Sequence, residues 1–119
     1  INRGKAISLN KTLQSAKTIL SSDLYKIEVA SVIWKYVKSG LLEKSKANRV
    51  LELAQSLVDQ FIDISENNEE AMNESIRAGH STYDLLYFTI ARRRGAVLMT
   101  LDKKLKALCV DAGIETISE

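Results

Sequence analysis

Proline is absent from these 119 residues, and no low-complexity tract or internal repeat marks a linker, so a single domain spanning 1–119 is expected. The one cysteine, Cys109, excludes an internal disulfide and fits a reducing, cytoplasmic setting. It lies among Leu105, Leu108 and Val110, as a small core residue would. Thiol catalysis would need a histidine partner, and nothing in the sequence ties Cys109 to the single histidine, His80. No apolar run reaches roughly 18 residues, so no transmembrane span is expected. The start, Ile1-Asn2-Arg3-Gly4-Lys5, leads into no apolar h-region or cleavage site, so no signal peptide is expected. Charge of one sign is also lacking: 17 basic against 15 acidic residues leave +2. Any nucleic-acid contact must therefore rest on a local patch. There is no G-x-x-x-x-G-K-[ST], no G-x-G-x-x-G and no G-x-S-x-G, which removes the nucleotide-binding and nucleophile-elbow readings.

What is present is an ordinary globular balance, 45% hydrophobic and 27% charged. The spacing predicts helices over 4–16, 22–38, 43–56, 65–78, 81–94 and 102–111. The second carries Leu24, Ile27, Ala30, Trp34 and Val37 on one arc, and the third turns Ala47, Val50, Leu51 and Ala54 inward. Ser65 and Ser81 read as helix starts; Gly40, Gly79 and Gly95 read as stops. The helix from Ser81 is apolar nearly all round, with Tyr83, Leu85, Leu86, Phe88 and Ile90, and should be largely buried. Thr18-Ile19-Leu20, the end of 57–64, 96–100 and 114–117 read as strands, with 96–100 fully buried. Strands separated by helices pair in parallel, so the fold class is α/β with a small parallel sheet.

In such sheets, sites form where strands end and helices begin. Asp102 follows the strand 96–100 by two residues. The plain account is that Thr100 caps the next helix and Asp102 offsets its dipole. Asp84 fits a capping pattern in Ser81-Thr82-Tyr83-Asp84, yet lies on a helix expected to be buried, where a carboxylate needs a partner or a metal. Glu28 sits at the edge of an apolar arc near Ser31, as a salt-bridged glutamate or as a third acid. If the three converge, an all-oxygen cluster suits Mg²⁺ or Mn²⁺, which polarises a phosphate and activates a water; with one histidine and one cysteine, zinc is not favoured. His80, just before a helix start, reads as structural or exposed, and Tyr25, Tyr36, Tyr83 and Tyr87 read as core or core edge. Arg92, Arg93, Arg94, Lys103, Lys104 and Lys106 cluster around the strand 96–100, as a solvated face or as contacts for RNA phosphates.

The stretch His80-Ser81-Thr82-Tyr83-Asp84-Leu85-Leu86-Tyr87, then Arg92-Arg93-Arg94-Gly95-Ala96-Val97-Leu98-Met99-Thr100-Leu101-Asp102, resembles the PIN-domain family, in particular its VapC-like toxin branch. That family runs Y-D-A-L-Y, a helix, then G-A-x-L-L-T-x-D, and the 18-residue separation of Asp84 and Asp102 suits it. Upstream, the segment ending Glu28-Val29-Ala30-Ser31 resembles the family's E-V-A-N. The resemblance implies a three-layer domain whose small parallel sheet is flanked by helices. It implies Glu28, Asp84 and Asp102 as metal ligands, with Thr100 and Ser31 supporting them. It implies a Mg²⁺- or Mn²⁺-dependent endoribonuclease, the toxin of a toxin–antitoxin pair, homodimeric and inhibited by a cognate antitoxin.

Two departures stand out. Ser31 occupies the usual Asn position. The family's first strand, which ends in a further Asp, has no counterpart, and Asn10 lies only 18 residues before Glu28, too close for the helix between. The expectation is that an N-terminal strand is lost from this chain. The alternative function is a non-catalytic PIN-like module that binds RNA or protein.

Overall fold

In the computed structural model, residues 18–117 are described, and they fall into two units, 18–63 and 64–117. The helix expected over 4–16 lies outside the described residues.

In the first unit, strand β1 (Leu20–Ser22) leads into helix α1 (Leu24–Lys38); a 3₁₀ turn (Lys44–Lys46) and helix α2 (Ala47–Ser56) follow, and strand β2 (Gln60–Ile62) returns parallel to β1. The register pairs Leu20 with Gln60, Ser21 with Phe61 and Ser22 with Ile62. Main-chain bonds from Asp59 to the Ile19 carbonyl and from Asp23 to the Ile62 carbonyl extend the pairing at both ends. The helix expected from residue 22 starts at Leu24: Ser22 is still a strand residue, and its buried Oγ accepts from the Leu24 amide at 3.1 Å to open the helix. The Tyr25 hydroxyl donates to the Ala54 carbonyl at 2.8 Å and ties α1 to α2, and burial pushes that phenol's pKa up. Ala47, Val50, Leu51 and Ala54 are half-buried, as their spacing predicts.

The predicted arc of α1 needs correction. Ile33 is buried, whereas Ile27 and Trp34 are 61% and 59% exposed. Apolar residues at 25, 27, 29, 30, 32, 33, 34, 36 and 37 cover most of the helix circumference. Periodicity then defines no single inward face, and packing selects one.

The second unit opens with a 3₁₀ turn (Ile64–Glu66), then helices α3 (Asn68–Ala78) and α4 (Thr82–Arg94), strand β3 (Leu98–Met99), helix α5 (Lys103–Asp111) and strand β4 (Thr116–Ile117). Strands β3 and β4 are parallel, with Leu98 opposite Thr116 and Met99 opposite Ile117. In place of one small parallel sheet there are, among the described residues, two separate two-stranded parallel sheets, one in each unit. Gly79 and Gly95 end α3 and α4 at φ 65° and 60°, a left-handed conformation that costs glycine little.

Along α4, Leu85, Leu86, Phe88, Thr89, Ile90 and Ala91 are buried, as expected, but Tyr83 in its first turn is 65% exposed. Cys109 is buried, and desolvation raises its thiol pKa, in keeping with a core residue. The strand expected over 96–100 is two residues long, and Val97 is half-exposed rather than buried, since among the described residues β3 has a neighbour on one side only. Ser65 belongs to the 3₁₀ turn, and the position before α3 is held by Asn67. Asn67 is buried, and its Nδ2 donates to the Leu86 carbonyl at 3.0 Å and to Thr89 Oγ1 at 2.7 Å, joining the start of α3 to the middle of α4. On the outer side of the same helix pair, Arg92 bridges Glu70 and Glu74, while Arg93 bonds Glu70 and the Glu66 carbonyl.

Candidate metal centre

Two helix starts in the second unit carry the acids. At the first, Gly79 turns the chain out of α3, and Ser81 caps α4 by accepting from the Tyr83 amide at 3.2 Å. Asp84 follows in the first turn, where a negative side chain meets the positive end of the helix dipole. At the second, β3 ends and the Thr100 amide donates to the Ile117 carbonyl at 3.1 Å. Thr100 Oγ1 then accepts from the Asp102 amide at 3.0 Å. Asp102, not Thr100, is the residue that caps α5: its Oδ1 accepts from the Lys104 and Leu105 amides at 2.8 and 3.1 Å. Thr100 shapes the turn that delivers it.

Those amide bonds set the charge of Asp102. The Leu105 N–H holds its carboxyl below the usual range, helped by the Lys104 N–H and by the Lys104 charge. Asp102 is therefore ionised at neutral pH.

The two acids come together with a third side chain that the sequence reading set aside. His80 Nε2 lies 3.0 Å from Asp84 Oδ2, with side chains 13% and 36% exposed respectively. One ligand-type atom from each of His80, Asp84 and Asp102 lies within 4.8 Å of the other two. Two donors on one ion at about 2.1 Å are at most about 4.2 Å apart, so small side-chain movements would let these three share a cation. The expectation is an all-oxygen set; among the described residues, the group near enough to share a cation is instead two carboxylates and an imidazole. The signal was the four-residue spacing of His80 and Asp84. It was hidden because His80 precedes the cap of α4, where helical periodicity says nothing about direction.

Glu28 and Ser31 are three residues apart on α1, in the first unit, and both are exposed. The expected cationic patch divides in two. Arg92 and Arg93 direct their guanidinium groups at Glu70 and Glu74, which the sequence did not foretell because those acids lie 18 to 23 residues away. Arg94, Lys103 and Lys104 are exposed, at the end of α4 and the start of α5.

No family model matches the chain. It is 28% identical over 97 residues to Ribonuclease VapC3 from Pyrobaculum aerophilum, which spans 80% of this chain and 74% of that protein. The fold is similar to the crystal structure of PAE2754 from Pyrobaculum aerophilum, with a TM-score of 0.71 and 25% identity, over 87% of this chain and 76% of the other.

Proposed function

We propose that this chain, whose likeness to the VapC-like PIN-domain ribonucleases holds in sequence and in fold, hydrolyses RNA phosphodiester bonds at a divalent-cation site built on Asp84 and Asp102. The observation that carries the reading is the convergence of these two acids, from two separate helix starts, with donor atoms within 4.8 Å. Carboxylates so arranged suit Mg²⁺ or Mn²⁺. Such an ion polarises a phosphoryl oxygen and lowers the pKa of a bound water.

The chain's own contribution is to keep the donors charged and in place. Backbone amides hold Asp102 ionised, Thr100 orders the turn before it, and the first turn of α4 carries Asp84. Glu28, the third acid that the resemblance implies, lies on α1 of the first unit with Ser31 one turn further on. Arg94, Lys103 and Lys104 supply exposed positive charge for RNA phosphates. In its biological setting the protein is the toxin of a toxin–antitoxin pair, a cytoplasmic homodimer restrained by a cognate antitoxin.

The test is cleavage of a panel of RNAs with Mg²⁺, Mn²⁺ or EDTA, beside Asp84→Asn and Asp102→Asn. Asparagine caps a helix about as well as aspartate, so Asp102→Asn keeps the start of α5 while removing the charge. Cleavage that needs the metal and disappears in both folded variants supports the reading. A folded wild type that binds RNA in a salt-dependent manner and cuts none of the panel would replace it with a binding module.

A further inference from the structure

The imidazole beside the two acids has no role in the reading above, and the residues around it point to one. His80 is the only histidine in the chain. Its distal nitrogen, Nε2, faces Asp84 Oδ2 at 3.0 Å, and its ring is largely sheltered, at 13% exposure. The two atoms share a hydrogen bond, and because adjacent donors on one ion at about 2.1 Å are also about 3 Å apart, a cation would replace the shared proton with little movement of either side chain. The third donor, from Asp102, is within 4.8 Å of both. The three side chains come from the α3–α4 connection, the first turn of α4 and the cap of α5, so no single helix dictates their meeting.

We propose that His80 is a direct ligand of the cation held by Asp84 and Asp102, and that its nitrogen makes the site prefer Mn²⁺ and similar borderline ions to Mg²⁺. The inference rests on the metal-site reading above. Its chemistry follows from donor softness. Mg²⁺ takes oxygen donors and gives up its waters reluctantly, whereas imidazole nitrogen binds later first-row ions more strongly. A site of two carboxylates alone discriminates little between Mg²⁺ and Mn²⁺; an added imidazole discriminates against Mg²⁺.

The experiment uses this 119-residue chain without a tag, so that His80 is the only imidazole in the sample. Mn²⁺ and Mg²⁺ affinities are measured by calorimetry, and Mn²⁺-loaded protein is examined by electron spin-echo spectroscopy for the ¹⁴N coupling of a directly bound imidazole. The expected wild-type result is tighter binding of Mn²⁺ than of Mg²⁺, with ¹⁴N coupling present. His80→Gln should lose the coupling and weaken Mn²⁺ binding at least about tenfold, since even residues acting through a ligand cost about 10- to 100-fold. Mg²⁺ affinity should change far less. His80→Asp, which returns an oxygen donor, should bind both ions with the preference for Mn²⁺ reduced. If a variant fails to fold, the wild-type spectrum still decides. Mn²⁺ bound through Asp84 and Asp102, as shown by its loss in Asp84→Asn, but without imidazole coupling, would overturn the role of His80 and leave the metal site standing. A folded wild type that binds neither ion would overturn both.

Discussion

Asn67 joins helices α3 and α4 of the second unit, and its removal has a calculable cost. Its side chain is buried, and Nδ2 makes two hydrogen bonds, to the Leu86 carbonyl and to Thr89 Oγ1. Each such bond contributes about 1 kcal/mol net. Asn67→Ala removes both and leaves a small void, whereas loss of the buried Oδ1, which has no partner among the described residues, gives some of that back. The expected destabilisation is about 2 kcal/mol.

Asn67→Asp should be worse than alanine at neutral pH. The Leu86 carbonyl can only accept, and the Thr89 hydroxyl already donates to the Leu85 carbonyl at 2.8 Å, so a carboxylate would face acceptors on both sides. Denaturant unfolding of Asn67→Ala, Thr89→Val and the double variant gives the coupling directly, expected at about 1 kcal/mol. A loss below about 0.5 kcal/mol for Asn67→Ala, or strict additivity in the cycle, would refute the account.

Two further outcomes follow from the ion network on the outer side of α3 and α4. Hydrogen bonds from Arg77 and Arg92 hold the Glu74 carboxyl below its ordinary value of 4.5, so its stabilisation is complete above that value and is lost as pH falls through the lower folded value. Arg92→Ala should therefore cost roughly 0.5–1 kcal/mol at neutral pH and make the loss of stability below about pH 4.5 shallower, as read from thermal melts across pH. In RNA binding, Arg94→Ala and Lys104→Ala should each reduce the slope of log affinity against log salt by about 0.7 on single-stranded RNA, and Arg92→Ala should leave it nearly unchanged. An Arg92 effect equal to that of Arg94 would mean the ion pairs with Glu70 and Glu74 open on binding.

Local rules sufficed where local chemistry decides. The glycine stops at 79 and 95, the serine cap of α4, the parallel pairing and the buried Cys109 all depend on a few neighbouring residues or on the strand–helix alternation, and each is legible in the chain. The positions of Asp84 and Asp102 at helix starts belong to the same class. Packing decided the rest. Which face of α1 turns inward was open because apolar residues nearly encircle it, and Ile33 is buried while Trp34 is not. The shortness of β3 depends on neighbours that no local propensity specifies. The pairing of Arg92 and Arg93 with Glu70 and Glu74 requires two helices to lie side by side, and the meeting of His80 with Asp84 and Asp102 requires a loop and two helix ends to converge. Residue type and spacing determined which side chains could carry charge or bind a metal; only the tertiary structure determined which charges neutralise one another and which donors share a site, because those distances are set by segments remote in sequence.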